Sequence, residues 1–211
     1  MKNIADLRKE YTKGALEPNL LGDTPLPVFS SWFSQALESE VLEVNAMILS
    51  SVNALGRPSS RVVLLKDITE NGIIFYTNYQ SRKGLELESN PFVSVVFYWA
   101  ELERQVRMEG QVRKVSEADS DAYFYSRPRI SQAGAVVSNQ SRVIPDRQAL
   151  DDKMDTLMTD TSIKIQRPNH WGGYEIVVDR VEFWQGRPGR VHDRALYEKE
   201  DGAWIKSRLS P

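Results

Sequence analysis

The spacing of hydrophobic residues changes at Asn45, and most of the chain after it consists of short apolar segments. "AMILSSV", "SSRVVLLKDI", "GIIFYTN", "FVSVVFYW" and "RQVRMEGQVRKV" are rich in β-branched and aromatic residues and are separated by turn residues. "NALGRP" between the first two has the composition of a hairpin turn. Three more such segments, "YEIVVDRVEFWQG", "RVHDRALYEKE" and "AWIKSRLSP", close the chain. This pattern predicts a mainly β, antiparallel barrel with peripheral α-helices.

Helical spacing marks the segments around these strands. "PVFSSWFSQALESEV" places five apolar residues on one helical face, which indicates packing on a core: Phe29, Trp32, Phe33, Ala36 and Leu37. "IADLRKEYTKG" also has helical spacing and ends at a glycine, while "SRKGLELESN", "SEADSDAYFYSRP" and "DRQALDDKMDTLMTD" predict three later helices. We predict one domain over residues 1–211, with residues 1–27 as a helical extension that forms a lid.

Composition narrows the class of protein. The chain has 27 Lys and Arg against 29 Asp and Glu, a net charge of -2, which argues against a nucleic-acid binder. It has no cysteine, so disulfides and thiolate sites are excluded. The charged N-terminus lacks an apolar run, and no stretch reaches the ~18 apolar residues of a membrane span. We expect a soluble, cytoplasmic protein without a membrane partner.

The common nucleotide-binding loops are missing, and the only two histidines, His170 and His192, lack the spacing of a metal site, so no metal is expected. Cationic and polar residues instead cluster at the ends of predicted strands. "YTNYQSRKG" places Arg and Lys at a helix start, a natural phosphate site. "YFYSRPRISQ" spaces Tyr123, Arg127 and Ser131 by four residues, although Pro128 must bend or break a helix there.

A third cluster, "EFWQGRPGRVHDR", gathers three arginines, a Trp and a His around a bend. Each cluster alone could be a solvated surface turn. Together, two sets of phosphate-type residues and an aromatic side chain indicate two phosphorylated ligands or one dinucleotide.

In these clusters the chain resembles the pyridoxamine 5'-phosphate oxidase family. "LRKEYTKG", "SSRVVLLK", "YTNYQSRKG", "YWAELERQVRMEG", "SRPRISQAGAVVSNQS", "EFWQGRPGRVHDR" and "RLSP" resemble family blocks in the family's order, across nearly the whole chain. The resemblance implies an FMN-binding split β-barrel, with FMN bound between the subunits of a homodimer.

The resemblance also implies the site residues. Those that would bind FMN are Arg61, Val62, Val63, Leu64, Leu65, Lys66, Tyr76, Thr77, Ser81, Arg82, Lys83, Gln105, Gln140, Ser141, Trp184 and Arg194. Those that would bind the substrate are Arg8, Tyr11, Lys66, Tyr123, Arg127, Ser131, Arg190 and His192. Arg190 and His192 would lie over the pyridine ring as the catalytic residues, and Arg8 and Tyr11 would close the site.

The implied reaction oxidises pyridoxamine or pyridoxine 5'-phosphate to pyridoxal 5'-phosphate. Hydride would pass from substrate C4' to flavin N5, and O2 would reoxidise the flavin and give H2O2. A non-catalytic protein that binds flavin or pyridoxal phosphate is the alternative. It would have little need for the full substrate-binding set beside a complete FMN set.

Overall fold

The computed structural model describes residues 3–7, 10–17 and 21–211. Its helices are α1 (Pro25–Glu38), α2 (Arg82–Ser89), α3 (Glu117–Ser126), α4 (Arg129–Val137) and α5 (Gln148–Thr159). Its strands are β1 (Ala46–Val52), β2 (Pro58–Leu64), β3 (Asp67–Ile68), β4 (Gly72–Asn78), β5 (Phe92–Trp99), β6 (Arg104–Lys114), β7 (Trp171–Gln185), β8 (Asp193–Glu200) and β9 (Ala203–Arg208). The described helices include none that is long and apolar enough to cross a membrane.

All nine strands join one antiparallel sheet, which curls into a half-barrel. Its order is β2-β1-β5-β6-β7-β4-β3, and β8 pairs with both β7 and β9. The 15-residue β7 organises this sheet, because its first half pairs with β4 and its second half with β8. A register shift between Glu109 and Gly110 of β6 falls between these two halves, and such bulges bend a sheet. The predicted fold class is confirmed.

One face of each central strand packs into the core. In β5 the buried positions alternate, with Val95 and Phe97 fully buried and Phe92 and Tyr98 exposed on the other face. Helix α1 covers the core with Phe29, whose ring lies 5.0 Å from that of Phe97. Hydrophobic burial of this kind is the main stabilising contribution to such a fold. A second, smaller cluster joins α3, α4 and the start of β7 around Phe124 and Trp171.

The helix predicted over "IADLRKEYTKG" is wrong. Among its described residues Ile4–Asp6 form a 3-10 turn, and residues 10–17 have no regular secondary structure. Its apolar spacing serves a different purpose: Tyr11 packs against other rings, and Leu16 is buried in the main core. Side chains from β8, β9 and the turn before β6 satisfy backbone groups of this segment, so its conformation is decided by tertiary contacts.

Candidate active site

A cavity of about 630 Å³ opens between the sheet and the helical layer. Strands β2, β4 and β7 form one side, and α3, α4 and the segment after α4 form the other. Its polar lining comes from residues of both sides, and most of them belong to the predicted site: Lys66, Tyr76, Thr77, Asn78, Lys83, Tyr123, Arg127, Ser131, Ser138 and Gln140. Its apolar lining includes Val62, Val63 and Leu64 of β2 and Trp171 of β7.

Lys83 supplies a buried positive charge at one end of the cavity. Its Nζ donates to Thr77 Oγ1 (2.9 Å) and Gln140 Oε1 (3.0 Å), and it lies 3.4 Å from Ser81 Oγ. Within the described part of the chain no carboxylate pairs with it. Burial, with a contribution from the charge of Arg61, lowers the pKa of Lys83 to about 8. A buried ammonium held by neutral oxygens is an incomplete site that an anion would complete.

The start of α2 positions this lysine. Ser81 is the N-cap of α2, and its Oγ accepts the hydrogen bond of Gly84 N at 3.2 Å. The predicted helix start is therefore confirmed, and Lys83 lies in the first turn of α2, at the end of the helix that favours anions.

Arg127 supplies a second cation to the same cavity. Its guanidinium lies 4.6 Å from the centre of the Trp171 ring, and its Nη1 is buried without a hydrogen-bond partner among the described residues. Burial lowers the pKa of this guanidinium, although an arginine stays protonated. A buried donor without an acceptor costs about 1–3 kcal/mol, so a bound anion would recover this free energy.

Stacked rings support Arg127. Tyr76 stacks on Tyr123 with their centroids 3.9 Å apart, and Trp171 lies 5.6 Å from Tyr76. Gly173 permits this packing, since a Cβ there would lie 2.8 Å from Tyr76 Cε1. Pro128 interrupts the helix and separates α3 from α4. Tyr123, Arg127 and Ser131 nevertheless all line the cavity.

Arg61 and Arg82 converge on one buried carboxylate beside this cavity. Glu86 accepts from Arg82 Nε (2.9 Å), Arg61 Nη2 (3.2 Å) and the hydroxyls of Ser51 (2.5 Å) and Ser59 (2.8 Å). Burial alone would raise the pKa of Glu86, but these hydrogen bonds and the charge of Arg61 hold it at about 2. Both arginines are therefore fixed in position, outside the lining of the 630 Å³ cavity.

The remaining predicted residues form a second cluster at the other end of β7. Gln105, Trp184 and Arg194 are direct cross-strand neighbours in β6, β7 and β8, so their side chains share one face of the sheet. The rings of Tyr11 and His192 lie 5.6 Å and 4.6 Å from that of Trp184. We call Tyr11, Gln105, Trp184, His192 and Arg194 the Trp184 cluster.

Charged contacts order the Trp184 cluster. Arg194 binds Glu182 through two hydrogen bonds, of 2.8 and 3.0 Å. His192 Nδ1 accepts the backbone N–H of Arg187 at 3.2 Å, which leaves Nε2 to carry the proton of a neutral ring. Arg190 is exposed and has a left-handed backbone (φ 62°) in the 3-10 turn Pro188–Arg190.

One chain does not bring the two halves of the predicted site together. Trp171 begins β7 and lines the cavity, whereas Trp184 lies next to the end of the same strand. An unbent strand of that length would separate them by roughly 40 Å. Ser141 and Arg82 line a different, smaller cavity, Leu65 is buried in the core, and Arg8 lies outside the described residues.

Sequence reasoning missed three residues that organise these sites. Trp171 forms the aromatic wall, and its signal was "NHWGG", because paired glycines after a large ring mark close packing. Glu86 and Glu103 are buried carboxylates in ordinary-looking polar segments, and their roles depend on partners distant in sequence. No local pattern identifies such residues.

Two regions of the chain match described protein families. Residues 33–159 match the family described as "Pyridoxamine 5'-phosphate oxidase", and residues 171–211 match "Pyridoxine 5'-phosphate oxidase C-terminal dimerisation region". The second region contains β7, β8 and β9, and its presence indicates a homodimer.

Curated relatives match over the full chain. A pyridoxine/pyridoxamine 5'-phosphate oxidase of Leptospira interrogans is 50% identical over 210 residues, which are 99% of this chain and 98% of the relative. One of Paraburkholderia phymatum is 50% identical over 212 residues and all of both chains.

Solved structures share the fold. PhzG from Burkholderia lata, in complex with tetrahydrophenazine-1-carboxylic acid, is 30% identical with a TM-score of 0.89, and 93% of this chain and 98% of that one are covered. A pyridoxamine 5'-phosphate oxidase-related, FMN binding protein from Nostoc punctiforme, at 17% identity and a TM-score of 0.72, shows the fold alone, with 89% of this chain and 98% of that one covered. With both family regions and full-length relatives at this identity, the chain belongs to the pyridoxine/pyridoxamine 5'-phosphate oxidase family.

Proposed function

We propose that this protein is an FMN-dependent oxidase that converts pyridoxamine 5'-phosphate or pyridoxine 5'-phosphate to pyridoxal 5'-phosphate. The observation that carries the proposal is a pair of cations, the buried Lys83 and the half-buried Arg127 with its buried Nη1, which line one cavity without a carboxylate partner among the described residues. Two anion sites in one cavity fit two phosphorylated molecules, a flavin nucleotide and its substrate. Membership of the oxidase family makes the flavin the expected first ligand.

The cavity has the donor set that FMN requires. Lys83, the start of α2 and the hydroxyls of Thr77 and Ser81 would hold its phosphate. Arg61 and Arg82 lie beside this end of the cavity, because both bind Glu86, which is on the same helix, α2, as Lys83. Val62, Val63 and Leu64 of β2 form the apolar wall that a ring system needs.

The second cation would hold the substrate phosphate. Arg127 Nη1 lacks an acceptor among the described residues, and Ser131 follows four residues later on α4. Lys66 Nζ lies 6.0 Å from the centre of the Tyr123 ring. A phosphate bound here would fix the pyridine ring at a set distance from the flavin. Binding energy from a remote group is thereby used to orient the reacting carbon.

The homodimer would complete the site. Gln105, Trp184 and Arg194 of the Trp184 cluster lie on β6, β7 and β8, and three of its five residues fall within the C-terminal dimerisation region: Trp184, His192 and Arg194. A two-fold axis that joins two copies would present the Trp184 cluster of one subunit to the cavity of the other. Trp184 and Arg194 would then contact the flavin, and Arg190 and His192 the pyridine ring.

His192 is suited to orienting the substrate. Because its Nδ1 accepts from Arg187 N, the neutral imidazole presents Nε2–H as a donor to a substrate oxygen. Arg190 is permanently charged, so it would hold an anionic oxygen of the pyridine without a change in protonation.

FMN held by these residues would supply the two-electron chemistry that connects the substrate to O2. For the amine, the balance is one substrate, one O2 and one water giving one aldehyde, one NH3 and one H2O2. The residues of this chain would bind the two phosphates and thereby hold the reacting carbon of the substrate beside the flavin.

An oxygen-uptake assay tests the proposal. The protein loaded with FMN should consume O2 and release H2O2 on addition of pyridoxamine 5'-phosphate, with aldehyde formed in equal amount. Flavin-loaded protein that binds the substrate without O2 uptake would instead support the alternative, a non-catalytic binding protein.

Arg190 provides the matched test of the site. We expect Arg190→Met to retain FMN and to lose turnover by roughly 100-fold, as for a charged group that contacts the substrate (about 1.5–3 kcal/mol). Arg180→Met, on the half-exposed part of β7, is the control and should turn over normally. Normal turnover by Arg190→Met would remove Arg190 from the site.

A further inference from the structure

Residues 10–17, which we call the N-terminal segment, lie against the end of the sheet that carries the Trp184 cluster. The segment has no helix or strand of its own. Its far end is held through Leu16, whose N–H donates to Asp193 Oδ2 (3.1 Å) and whose carbonyl accepts from Arg208 Nη2 (2.9 Å). Gly14 O accepts from Arg187 Nη1 at 3.3 Å. Backbone groups that a helix would satisfy internally are satisfied here by side chains.

Glu103 holds the near end of this segment. Its Oε2 accepts the backbone N–H of Thr12 at 2.8 Å and that of Lys13 at 3.0 Å. The residue is 1% exposed and ends the turn between β5 and β6. Hydrogen bonds to a buried carboxylate are stronger than those between neutral groups, so these two bonds fix the backbone closely.

The backbone of Glu103 is held in place by its own hydrogen bonds. It has a left-handed conformation (φ 55°), which residues other than glycine and asparagine seldom adopt. Its carbonyl accepts from Gly186 N (2.8 Å) and Gln185 Nε2 (3.2 Å). The same residue thus joins the N-terminal segment to the end of β7 that carries Trp184.

Tyr11 is the residue that this contact places. It directly precedes Thr12, and its ring lies 5.6 Å from the rings of both Trp184 and His192, edge-on to each. Gly186 makes the room, because a Cβ there would lie 2.7 Å from Tyr11 Cγ. A shift of the Thr12 backbone would therefore move a ring that borders the proposed substrate position.

We propose that Glu103 is a positioning residue that sets Tyr11 against Trp184 and His192 and thereby strengthens binding of the phosphorylated substrate. In this role Glu103 acts through the N–H groups of Thr12 and Lys13 and not by direct contact with substrate or flavin. The proposal rests on the proposed function for its kinetic consequence. Its structural consequence, a fixed N-terminal segment, is independent of it.

Steady-state kinetics of Glu103→Ala provides the first test. We expect KM for pyridoxamine 5'-phosphate to rise about tenfold, a loss of about 1.4 kcal/mol, with kcat and FMN affinity within about twofold of wild type. Glu103→Gln keeps an acceptor oxygen, so its KM should rise less than that of Glu103→Ala. Glu101→Ala, an exposed glutamate in the same turn, is the matched control and should behave as wild type.

A double-mutant cycle separates positioning from general stability. In the Tyr11→Ala background, Glu103→Ala should raise KM no further, because the ring that it positions is gone. Full additivity of the two changes would overturn the proposal. Gly186→Ala displaces Tyr11 and keeps the Glu103 carboxylate, so it should show the same rise in KM and serves if Glu103→Ala folds poorly.

Trypsin cleavage after Lys13 reports on the segment without any activity. We expect Glu103→Ala to be cut there roughly tenfold faster than wild type and Glu101→Ala to be cut at the wild-type rate. Equal rates in all three would overturn the proposal. If wild type shows no oxidase activity but Glu103→Ala is cut faster, the proposed function fails while the structural role of Glu103 stands.

Discussion

At the scale of single residues, Lys83 is the group whose charge decides what the cavity binds. Its pKa is lowered to about 8, chiefly by burial, so the free site loses its positive charge just above neutral pH. A bound phosphate favours the charged form and raises this pKa again. Affinity for the anion is therefore highest below pH 8 and falls as the pH rises through 8, with a proton taken up on binding.

We expect the Kd of FMN to rise by up to about tenfold per pH unit above pH 8, as linkage to one proton requires. Lys83→Arg, which stays charged, should bind with a flatter pH profile, and Lys83→Met should bind roughly 10–100-fold more weakly at pH 7. Quenching of FMN fluorescence measures each Kd, with Lys153→Met on exposed α5 as the control. A wild-type Kd that is constant from pH 7 to 9.5 would show that Lys83 does not bind the anion.

Glu86 makes the free energy of unfolding depend on pH in the acid range. Its folded pKa of about 2 lies below the ordinary value of 4.5, so its stabilisation is present above pH 4.5 and is lost as the pH falls toward 2. We expect Glu86→Gln to lower the free energy of unfolding at pH 7 by about 2 kcal/mol and to flatten its decline below pH 4.5. Urea unfolding at several pH values measures this. Glu88→Gln, exposed on the same helix, should match wild type, and an unchanged Glu86→Gln would contradict the network.

At the scale of elements, the position of α3 relative to β7 determines the substrate half of the cavity. Arg167 joins them: its Nε donates to Asp121 (2.5 Å), its Nη2 pairs with Glu117, and its Nη1 donates to Trp171 O (2.6 Å). Its side chain is 6% exposed. One arginine thus connects the helix that carries Tyr123 to the strand that carries Trp171.

Arg167→Met should lower the stability by about 2 kcal/mol, or Tm by roughly 5 °C for a domain of this size. It should also raise KM, because Tyr123 and Arg127 would no longer be held against Trp171. Thermal unfolding at one protein concentration measures the first effect. Arg147→Met removes an exposed ion pair at the start of α5 and should change Tm by about 1 °C; equal losses in both variants would show that Arg167 makes no special contribution.

At the scale of the whole molecule, the outer face of the sheet leaves apolar side chains exposed. Val62, Ile48 and Val96 are neighbours across β2, β1 and β5, and the first two are 63% and 44% exposed. The same row continues through Arg107 of β6 to Glu182 of β7, inside the dimerisation region. We expect a second copy of the chain to cover this face, which would also bring the Trp184 cluster to the partner's cavity.

Ile48→Lys should place an unpaired charge in that interface and give a monomer that binds FMN poorly. Leu55→Lys, at the exposed tip of the β1–β2 hairpin, should remain a dimer with normal FMN binding. Light scattering coupled to size-exclusion chromatography measures the mass of each. A monomeric Ile48→Lys that binds FMN as tightly as wild type would contradict a site shared between subunits.

The pattern of apolar residues predicts most elements well. The segments "AMILSSV", "GIIFYTN" and "FVSVVFYW" coincide with β1, β4 and β5, and Ser81 and Ser116 are N-caps of α2 and α3. These predictions succeed because strand alternation and capping depend on neighbouring residues. The predicted N-terminal helix fails because residues 10–17 find hydrogen-bond partners in Glu103 and Asp193, far along the chain.

The antiparallel fold class, the family and the types of residue that could bind two phosphates can all be read from local patterns and from blocks shared with the family. Which of those residues share a cavity follows from the folded chain alone. It brought Lys83 and Arg127 together, assigned Arg61 and Arg82 to Glu86, and placed Trp184 and His192 at the opposite end of β7. The physical reason is that burial and pairing across a curled sheet depend on distances in space, which local sequence does not encode.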